Sequence, residues 1–152
     1  MGHGLIALRP ASPADADLLL GWRNDPATRR ASFDEEEIDE DTHRSWLAAR
    51  LVDARSAILI AHVDGQPAGQ VRLDMDAERG AMVSIGLAPA MRGRGLAASV
   101  LRAVETVARE RGITRLVAEV KLDNRASLAT FRRAGYCEYT RTAEALVFER
   151  RL

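Results

Sequence analysis

The chain has 152 residues, of which 47% are hydrophobic and 29% are charged, and its 22 basic and 22 acidic residues give zero formal net charge. This length suits one domain with its own hydrophobic core, and the balanced charge gives no indication of binding to nucleic acid or to an anionic membrane. The lone cysteine, Cys137, excludes a disulfide framework, and the three histidines lack the spacing of metal ligands.

The apolar runs and the start of the sequence lead to expectations about the protein's cellular location and the extent of its domain. No apolar run approaches the ~20 residues that span a bilayer, and a polar stretch beginning at Arg9 argues against a secretory signal, so we expect a cytoplasmic protein. Nearly all basic residues are arginine, with Lys121 the one lysine, which is typical of a GC-rich bacterial genome and also of phosphate recognition. Residues 1–4 are interpreted as a cloning remnant or a disordered start of a single domain covering 1–152.

The first third of the chain predicts a strand and two helices with a loop between them. Leu5 to Leu8 is a short apolar strand. Serine, proline and an acid at 12–15 are typical of a helix start, and the proline at 26 is expected to stop this helix. Residues 27–41 carry many charges and are predicted to be a mobile loop. A second helix follows, with apolar residues at helical spacing from Trp46 to Ala54.

The remaining two thirds predict mainly strands. Asp64-Gly65-Gln66-Pro67 is a turn between two strands of a hairpin, and Gly112 is expected to end the helix that follows the glycine-rich run. The strands are predicted at 57–61, 68–75, 81–88, 113–120, 137–141 and 145–150, with a last helix at 124–133. The order β-α-α-β-β-β-α-β-α-β-β favours the α/β class, with a mixed sheet covered by helices on both faces.

A glycine-rich run lies between a predicted strand and a predicted helix. The first N–H groups of a helix lack internal partners and carry partial positive charge, so they can bind phosphate. Glycines allow close backbone approach, and arginines add charge-assisted donors. A tight turn with solvated arginines explains the six residues equally well in isolation. The run consists of Arg92, Gly93, Arg94, Gly95, Leu96 and Ala97.

The same run also matches the G-x-G-x-x-A fingerprint of dinucleotide-binding folds, with an acid, Glu119, on a later strand. That fingerprint belongs directly after the first strand of a βαβ unit. Here residues 89–92 intervene, other strands come before, and too little chain follows for a second nucleotide-binding half. A Rossmann fold is therefore not favoured.

Two motifs together resemble the GCN5-related N-acetyltransferase (GNAT) family. Residues 92–97 fit its R/Q-x-x-G-x-G/A motif, and Asn124-Arg125-Ala126-Ser127, Phe131 and Ala134-Gly135-Tyr136 fit its N-x-x-S/A…F/Y…G-F/Y motif. The resemblance covers essentially the whole chain. It implies a GNAT fold, with a twisted, mostly antiparallel sheet of about seven strands, and an acetyl-CoA-dependent N-acetyltransferase that needs no metal.

The resemblance also implies where acetyl-CoA binds. The strand before the glycine-rich run is expected to carry a bulge at Gly86 and to separate from the next strand, so that pantetheine lies between them; glycine within a strand often marks such a site. A backbone N–H there would polarise the thioester carbonyl. The expected coenzyme contacts are Gly86, Leu87, Ala88, Arg92, Gly93, Arg94, Gly95, Leu96, Ala97, Asn124, Ser127 and Phe131.

Acetyl transfer to an amine requires a group that accepts a proton near neutral pH. Glu119 is the candidate, because an acid within an apolar strand faces either solvent or a cleft, and partial burial in a cleft would favour this role. The alternative is a glutamate on the polar side of an alternating strand. The family's usual tyrosine acid is replaced here by Phe131, so Ser127, Tyr136, Tyr139 or a water is left to protonate the thiolate.

The N-terminal half is expected to select the amine. Arg23-Asn24 and His43-x-x-Trp46 resemble the branch that acetylates 4-amino sugars carried on UDP, in pathways of the pseudaminic-acid type. Arg23 and His43 are interpreted as contacts to phosphate or nucleobase, because core packing does not explain them. Tryptophans at helical spacing are more often part of the core. The expected acceptor contacts are Arg23, Asn24, His43, Ser84 and Gly86.

Other functions remain open from the sequence. The related ribosomal-protein N-terminal acetyltransferases share a similar helix end, which makes a peptide acceptor the main alternative. Replacement of the usual tyrosine by Phe131 also allows a non-catalytic module that binds acetyl-CoA as a sensor or interaction partner. A small-molecule amine, without nucleic acid or membrane, is the favoured partner, and a homodimer is left open.

Overall fold

The computed structural model describes residues 5–152; the interpretation of residues 1–4 therefore lies outside the described part. Within it are five α-helices and seven strands. The helices are α1 (Ala16–Asn24), α2 (Pro26–Ala31), α3 (Glu40–Leu51), α4 (Leu96–Glu110) and α5 (Arg125–Arg133). The strands are β1 (Ile6–Pro10), β2 (Ser56–Val63), β3 (Gln66–Met75), β4 (Gly80–Leu87), β5 (Arg115–Lys121), β6 (Cys137–Arg141) and β7 (Ala145–Arg151).

All seven described strands form one sheet in the order β1-β2-β3-β4-β5-β7-β6. Neighbouring strands are antiparallel except β4 and β5, which run parallel. Parallel neighbours need a long crossover connection, and α4 provides it. The predicted α/β GNAT fold, with a mostly antiparallel seven-stranded sheet, is confirmed.

Helices cover both faces of the sheet, as predicted. On one face, α4 buries an apolar stripe that includes Val100, Leu101 and Val104 against the centre of the sheet. On the other face, Leu19 of α1 and Leu47 of α3 pack on residues of β2. The sheet therefore has a large core under α4 and a smaller core under α1 and α3, and the second face is where the helices leave β4 and β5 partly uncovered.

The turn between β2 and β3 shows why the hairpin could be predicted. Asp64 and Gly65 have φ angles of 50° and 81°, and Val63 pairs directly with Gln66. A two-residue turn with two positive φ angles matches the twist of the flanking strands and favours an Asp-Gly sequence. The predicted four-residue turn is thus reduced to two residues.

The prediction of a mobile loop at residues 27–41 is wrong for its first part, which forms α2. Pro26 ends α1 and also occupies the first turn of α2, where a missing N–H has no cost. The side chain of Asp25 accepts hydrogen bonds from the backbone N–H groups of Ala27 and Thr28. The charged residues obscured this capping signal, so the helix start was missed.

An ion pair between the half-exposed Arg9 and the buried Asp15 ties the first strand to the start of the first helix. Arg9 donates to both carboxylate oxygens of Asp15 at 2.8 and 2.7 Å, and the backbone N–H of Ser12 donates to the same carboxylate at 2.8 Å. These hydrogen bonds, chiefly those from Arg9, lower the pKa of Asp15 to about 2. Asp15 thereby holds α1 at a set position on the sheet.

Among residues 5–152, no helix combines the length and apolar character that a membrane crossing requires.

We expect Asp15→Asn to lower the free energy of unfolding at pH 7 by about 1–3 kcal/mol, the range for a hydrogen bond to a charged group. Because the pKa of Asp15 is lower in the folded protein than in the unfolded chain, its stabilisation is complete above about pH 4 and is lost as the pH falls towards 2. The difference between variant and wild type in urea denaturation should therefore shrink over that interval.

Asp17→Asn is the matched control, since Asp17 is exposed and pairs only with Arg44 among the described residues. An equal loss in both variants, or a difference that does not change between pH 4 and pH 2, would contradict the role given to Asp15.

Candidate active site

The site begins where β4 and β5 stop pairing. The two strands pair only from Gly80 with Arg115 to Met82 with Val117, although β4 continues to Leu87 and stays paired with β3 along its other edge. Beyond Met82, the edge of β4 that faces β5 therefore has no strand partner within the described chain. Its free backbone N–H and C=O groups are available to a ligand.

The separation is confirmed in position, but the expected bulge at Gly86 is wrong. The pairing of β3 with β4 runs without a register shift from Met75 opposite Ala81 to Gly69 opposite Leu87. Gly86 instead leaves open space, because an added Cβ would have only the amide nitrogen of Gln70 within 4 Å, at 3.9 Å. The gap arises because β4 and β5 diverge. The regular pairing of β4 with β3 does not reveal this divergence.

Two connected cavities occupy this gap. The first, which we call the Glu119 cavity, has a volume of about 460 Å³ and is lined by β3, β4, β5, α1, α2 and the loop after α2. The second, the Gly93 groove, has a volume of about 570 Å³ and runs along residues 92–97 and α5. The residues that line both are Thr28, Ile85, Gly86, Leu87, Asn124 and Ser127.

The Gly93 groove ends at the N-terminus of α4. Gly93 and Gly95 have φ angles of 74° and 72°, a conformation that favours glycine. Gly95 occupies the cap position of the 15-residue α4 and brings no side-chain cap, so the first N–H groups of α4 keep their hydrogen-bonding capacity. An anionic phosphate group fits this position on charge and on space.

The two arginines of the run, Arg92 and Arg94, differ in their contacts. Nη2 of Arg92 donates to the carboxylate of Asp25 at 2.7 Å and to the hydroxyl of Thr28 at 2.8 Å. This ion pair is the first cause of the lowered pKa of Asp25. Arg94 is exposed and contacts Met91, and it lines neither cavity. Arg92 thus links the groove to the start of α2.

Lys121 forms a second link across the opening. Its Nζ donates to the backbone carbonyl of Arg30 at 2.9 Å and to the carboxylate of Glu35 at 2.8 Å. Lys121 lowers the pKa of Glu35. Because Lys121 is on β5 and Arg92 follows β4, the segment 25–35 is held to both sides of the gap.

Glu119 lines the first cavity from β5. It is followed and preceded by buried residues, Val120 and Ala118, which point to the opposite face. The carboxylate is solvent-exposed, so the expected partial burial is not found. The sequence allowed two positions for Glu119, one facing a cleft and one facing solvent. The structure combines them, because Glu119 lines a cavity that is open to solvent.

Three residues of the second family motif meet at the junction or floor of the cavities. Asn124 accepts a hydrogen bond from the backbone N–H of Ser127 at 3.2 Å and so caps α5. Ser127 lines both cavities. Phe131 is buried, packs edge-on against Tyr136 and stacks with Phe148, while its edge lines the Glu119 cavity.

Tyr136 and Tyr139 do not join this group. Tyr136 is buried behind Phe131 and lines neither cavity; burial raises the pKa of its hydroxyl, which finds no hydrogen-bond partner among residues 5–152. Tyr139 is exposed on β6, where the guanidinium of Arg115 lies 5.0 Å from its ring centroid. Of the expected coenzyme contacts, Ala88 also lines neither cavity and is buried.

The residues expected to select the amine are only partly brought together. Arg23 and Ser84 line the Glu119 cavity. Asn24 instead exchanges two hydrogen bonds with the backbone of Ile38, at 2.8 and 2.9 Å, and so positions the loop after α2.

His43 is 3% exposed, packs against Trp46 and lines neither cavity. The expectation that core packing does not explain it is therefore wrong. Burial lowers the pKa of its imidazole. His43 and Leu47 are four residues apart on α3, so they share the face that turns towards the sheet.

Sequence reasoning missed two groups of cavity residues. Gln70 and Arg72 enter from β3, and Thr28, Ser32, Phe33 and Asp34 enter from α2 and the following loop. The alternation of polar and buried residues along β3 places Gln70 and Arg72 on one face, and this signal was readable. Which face borders a cavity depends on packing of α1 and α2, so the signal alone could not identify a site.

Among the described residues, no group of three or more histidine, cysteine, aspartate or glutamate side chains is placed to hold a metal ion.

A sequence model of the family described as "Acetyltransferase (GNAT) family" matches residues 19–136. In structure, the chain is similar to a ribosomal-protein-alanine N-acetyltransferase from Brucella melitensis, with a TM-score of 0.81, 26% identity and coverage of 96% of this chain and 99% of that chain.

Two further solved structures share the fold at lower identity. A spermidine N-acetyltransferase from Vibrio cholerae, in complex with CoA and spermine, has a TM-score of 0.88 and 15% identity, covering 96% of this chain and 95% of that chain. An aminoglycoside acetyltransferase, AAC(6')-Ib, in complex with coenzyme A has a TM-score of 0.83 and 14% identity, covering 97% and 95%.

We expect Asp25→Asn and Arg92→Gln each to increase amide hydrogen exchange in residues 27–31 by roughly two- to five-fold, the effect of losing one partly exposed ion pair. Asparagine keeps the helix cap at position 25, and glutamine leaves Asp25 unchanged, so the ion pair is the loss common to both variants. The double variant should exchange no faster than the single variants.

Arg94→Gln serves as the control, because Arg94 lies two residues from Arg92 and contacts Met91 instead of α2. Amide exchange that stays at the wild-type rate in both Asp25→Asn and Arg92→Gln would contradict a link between the groove and α2.

Proposed function

Because the chain belongs to the acetyltransferase (GNAT) family and is an acetyl-CoA-dependent N-acetyltransferase, we propose that it acetylates the 4-amino group of a UDP-linked amino sugar by direct transfer. The observation that carries the proposal is the connection of two cavities at one point. The Gly93 groove suits a coenzyme with a diphosphate, and the Glu119 cavity offers a carboxylate and arginines to an acceptor.

Acetyl-CoA supplies the acetyl group in activated form, as a thioester. The chain would hold its diphosphate with the N–H groups at the start of α4, next to Gly93 and Gly95. The unpaired edge of β4 would hold pantetheine near Gly86 and Leu87, which line both cavities. The acetyl end would then lie where the groove opens into the Glu119 cavity.

Glu119 is the group that we assign to receive the amine proton. Its side chain is on the same cavity as the junction residues and forms no ion pair among residues 5–152 that would hold it elsewhere. A carboxylate in this position also attracts the ammonium form of the acceptor, which is the main form in water at neutral pH. Transfer through one water is compatible with a cavity of this openness.

The thiolate that leaves is served by fewer groups. Phe131 lines the Glu119 cavity but has no proton to donate, and Tyr136 and Tyr139 are outside both cavities. Ser127 has a hydroxyl at the junction. We therefore assign Ser127 as the group that protonates the leaving sulfur, directly or through water. A thiol with a pKa of about 8.5 needs little help from an acid to take up this proton near neutral pH.

The acceptor assignment is supported by charge. Arg23 lines the Glu119 cavity, where its Nη2 donates to the backbone carbonyl of Asp34 at 3.3 Å and lies 4.0 Å from the Asp34 carboxylate. A guanidinium at the cavity wall suits a diphosphate. His43 takes no part in this assignment because it is buried away from the cavity.

A peptide N-terminus is the second candidate, and a specific comparison favours it. The similar structure with 26% identity is that of a ribosomal-protein-alanine N-acetyltransferase. The Glu119 cavity is open to solvent and is bordered by the exposed Phe33, so an extended chain could enter it. The same carboxylate, Glu119, would receive the proton in this case.

We expect Glu119→Gln to lower kcat/KM for the amine by ~10²-fold or more while the Kd for acetyl-CoA stays the same, because the amide cannot accept the proton. Steady-state kinetics over pH 5–10 and calorimetric titration with acetyl-CoA measure the two quantities.

Glu110→Gln provides the control, since Glu110 is an exposed residue near the end of α4. An unchanged kcat/KM in the Glu119 variant would remove Glu119 from the role of base.

We expect thiol release from acetyl-CoA with UDP-linked 4-amino sugars, in a panel that also contains ribosomal N-terminal peptides, polyamines and aminoglycosides. The measurement is the rate of free thiol formation at equal amine concentration. Turnover with the peptides alone would exclude the sugar and leave peptide acetylation. Binding of acetyl-CoA without turnover of any amine would favour a non-catalytic binding module.

A further inference from the structure

One polar row crosses three strands on the face that borders the Glu119 cavity. Arg72 of β3 pairs directly with Ser84 of β4, and Gln70 pairs with Gly86. Residues directly opposite each other in an antiparallel pair point to the same face. All four line the Glu119 cavity.

The register places Glu119 at the level of this row. The last pair of β4 with β5 joins Met82 to Val117. Ser84 lies two residues beyond Met82, and Glu119 two residues beyond Val117, so both continue on the same face at the same height. Arg72 and Glu119 are therefore separated by two strand spacings, roughly 10 Å between backbones before the splay is added, with their side chains on one cavity.

Most donors of this row have no hydrogen-bond partner within the described chain, although the guanidinium of Arg72 also lies over the Trp46 ring, 5.5 Å from its centroid. Within residues 5–152, Arg72 donates a side-chain hydrogen bond only through Nε, to Asp74 at 2.8 Å, and its terminal nitrogens have none. The side chains of Gln70 and Ser84 likewise enter no hydrogen bond of the described chain. None of these atoms is sealed from solvent, so all remain available to a molecule in the cavity.

The charge around the row is positive at one end and negative at the other. Asp74 is shared by two guanidinium groups, Arg50 at 2.7 Å and Arg72 at 2.8 Å, so one positive charge is left over beside the cavity. The other end holds Glu119. This arrangement suits a molecule with an ammonium group and an anionic group a few bonds apart.

We propose that Gln70, Arg72 and Ser84 form a subsite for an anionic oxygen group, a carboxylate or a phosphate, carried by the amine acceptor. The subsite rests on the proposed function, because it is defined relative to the amine at Glu119. Arg72 supplies the charge, and the serine hydroxyl and the glutamine amide supply neutral donors. Arg72 is accordingly a residue that determines specificity and does not take part in the transfer itself.

The experiment uses pairs of amines that differ only in the anionic group. Phosphoethanolamine is compared with ethanolamine, and 4-aminobutanoate with 4-aminobutanamide, by calorimetric titration into the full chain with coenzyme A present. We expect wild type to bind the anionic member of at least one pair about 10-fold or more tightly; which pair shows the larger difference distinguishes phosphate from carboxylate.

Arg72→Gln should reduce this preference by roughly 10- to 100-fold, as expected for loss of a charge-assisted hydrogen bond, without changing the affinity for the uncharged member. Arg72→Lys keeps the charge and should retain part of the preference. Asp74 keeps its partner Arg50 in both variants, so the local structure is not left with an unpaired buried acid.

Two further variants keep the test independent of folding effects. Ser84→Ala removes one neutral donor and should weaken binding of the anionic amine by about 3- to 10-fold. Arg111→Gln removes an exposed arginine after α4, remote from the cavity, and should change nothing. Absence of any preference in wild type, or a preference that survives Arg72→Gln, would overturn the subsite.

Turnover separates this proposal from the proposed function. For an anionic acceptor that is acetylated, Arg72→Gln should raise KM while kcat changes little, since the subsite binds a part of the acceptor that does not react. Binding preference without thiol release from any amine would contradict the proposed function and leave the subsite standing. Thiol release without a preference would do the reverse.

Discussion

Everything at the site depends on the point where β4 and β5 stop pairing. Three residue pairs hold the two parallel strands together, and beyond Met82 and Val117 they diverge. A sheet normally satisfies every backbone group of its inner strands, so an inner edge left open is an unusual local cost. In the proposed function, the edge provides backbone donors and acceptors for acetyl-CoA, and the width of the gap makes room for the amine. The large core under α4 holds the sheet together on the opposite face.

The opening is covered by a segment that is attached to both of its sides. Arg92, after β4, binds Asp25 and Thr28, and Lys121, at the end of β5, binds Glu35 and the carbonyl of Arg30. The same segment contributes Phe33 and Asp34 to the Glu119 cavity, which Arg23 of α1 also lines. The groove and the acceptor side are thus joined through ion pairs that are only partly buried, and such pairs are individually weak. Their arrangement fits a cover that must be positioned accurately and still admit two ligands.

The chain has no net charge, yet its charges are sorted within the site. The N-terminus of α4 offers positive potential at one end of the gap, and Glu119 offers negative charge at the centre. Arg72 and Arg50 share one carboxylate, that of Asp74, so their two positive charges are only half neutralised by it. Overall composition gave no indication of nucleic-acid binding, and it carried no information on this local separation. In the proposed function, charges within a few ångströms of the amine select it, and a net charge of zero is compatible with many different local arrangements of charge.

Apart from α2, sequence by itself determined the order of strands and helices and the position of both family motifs, because capping residues, alternation and glycine positions are local properties. It also placed Gly93, Gly95, Ser127 and Glu119 on the elements where the structure has them. Only the tertiary structure decided what each long side chain contacts: Arg92 binds α2, Asn24 holds the loop, His43 is buried and Tyr136 lies behind Phe131. Arg72 became a site residue only once β3, β4 and β5 were aligned. Contacts between residues far apart in the chain depend on how strands are registered and which helix covers them, and neither is written in a local pattern.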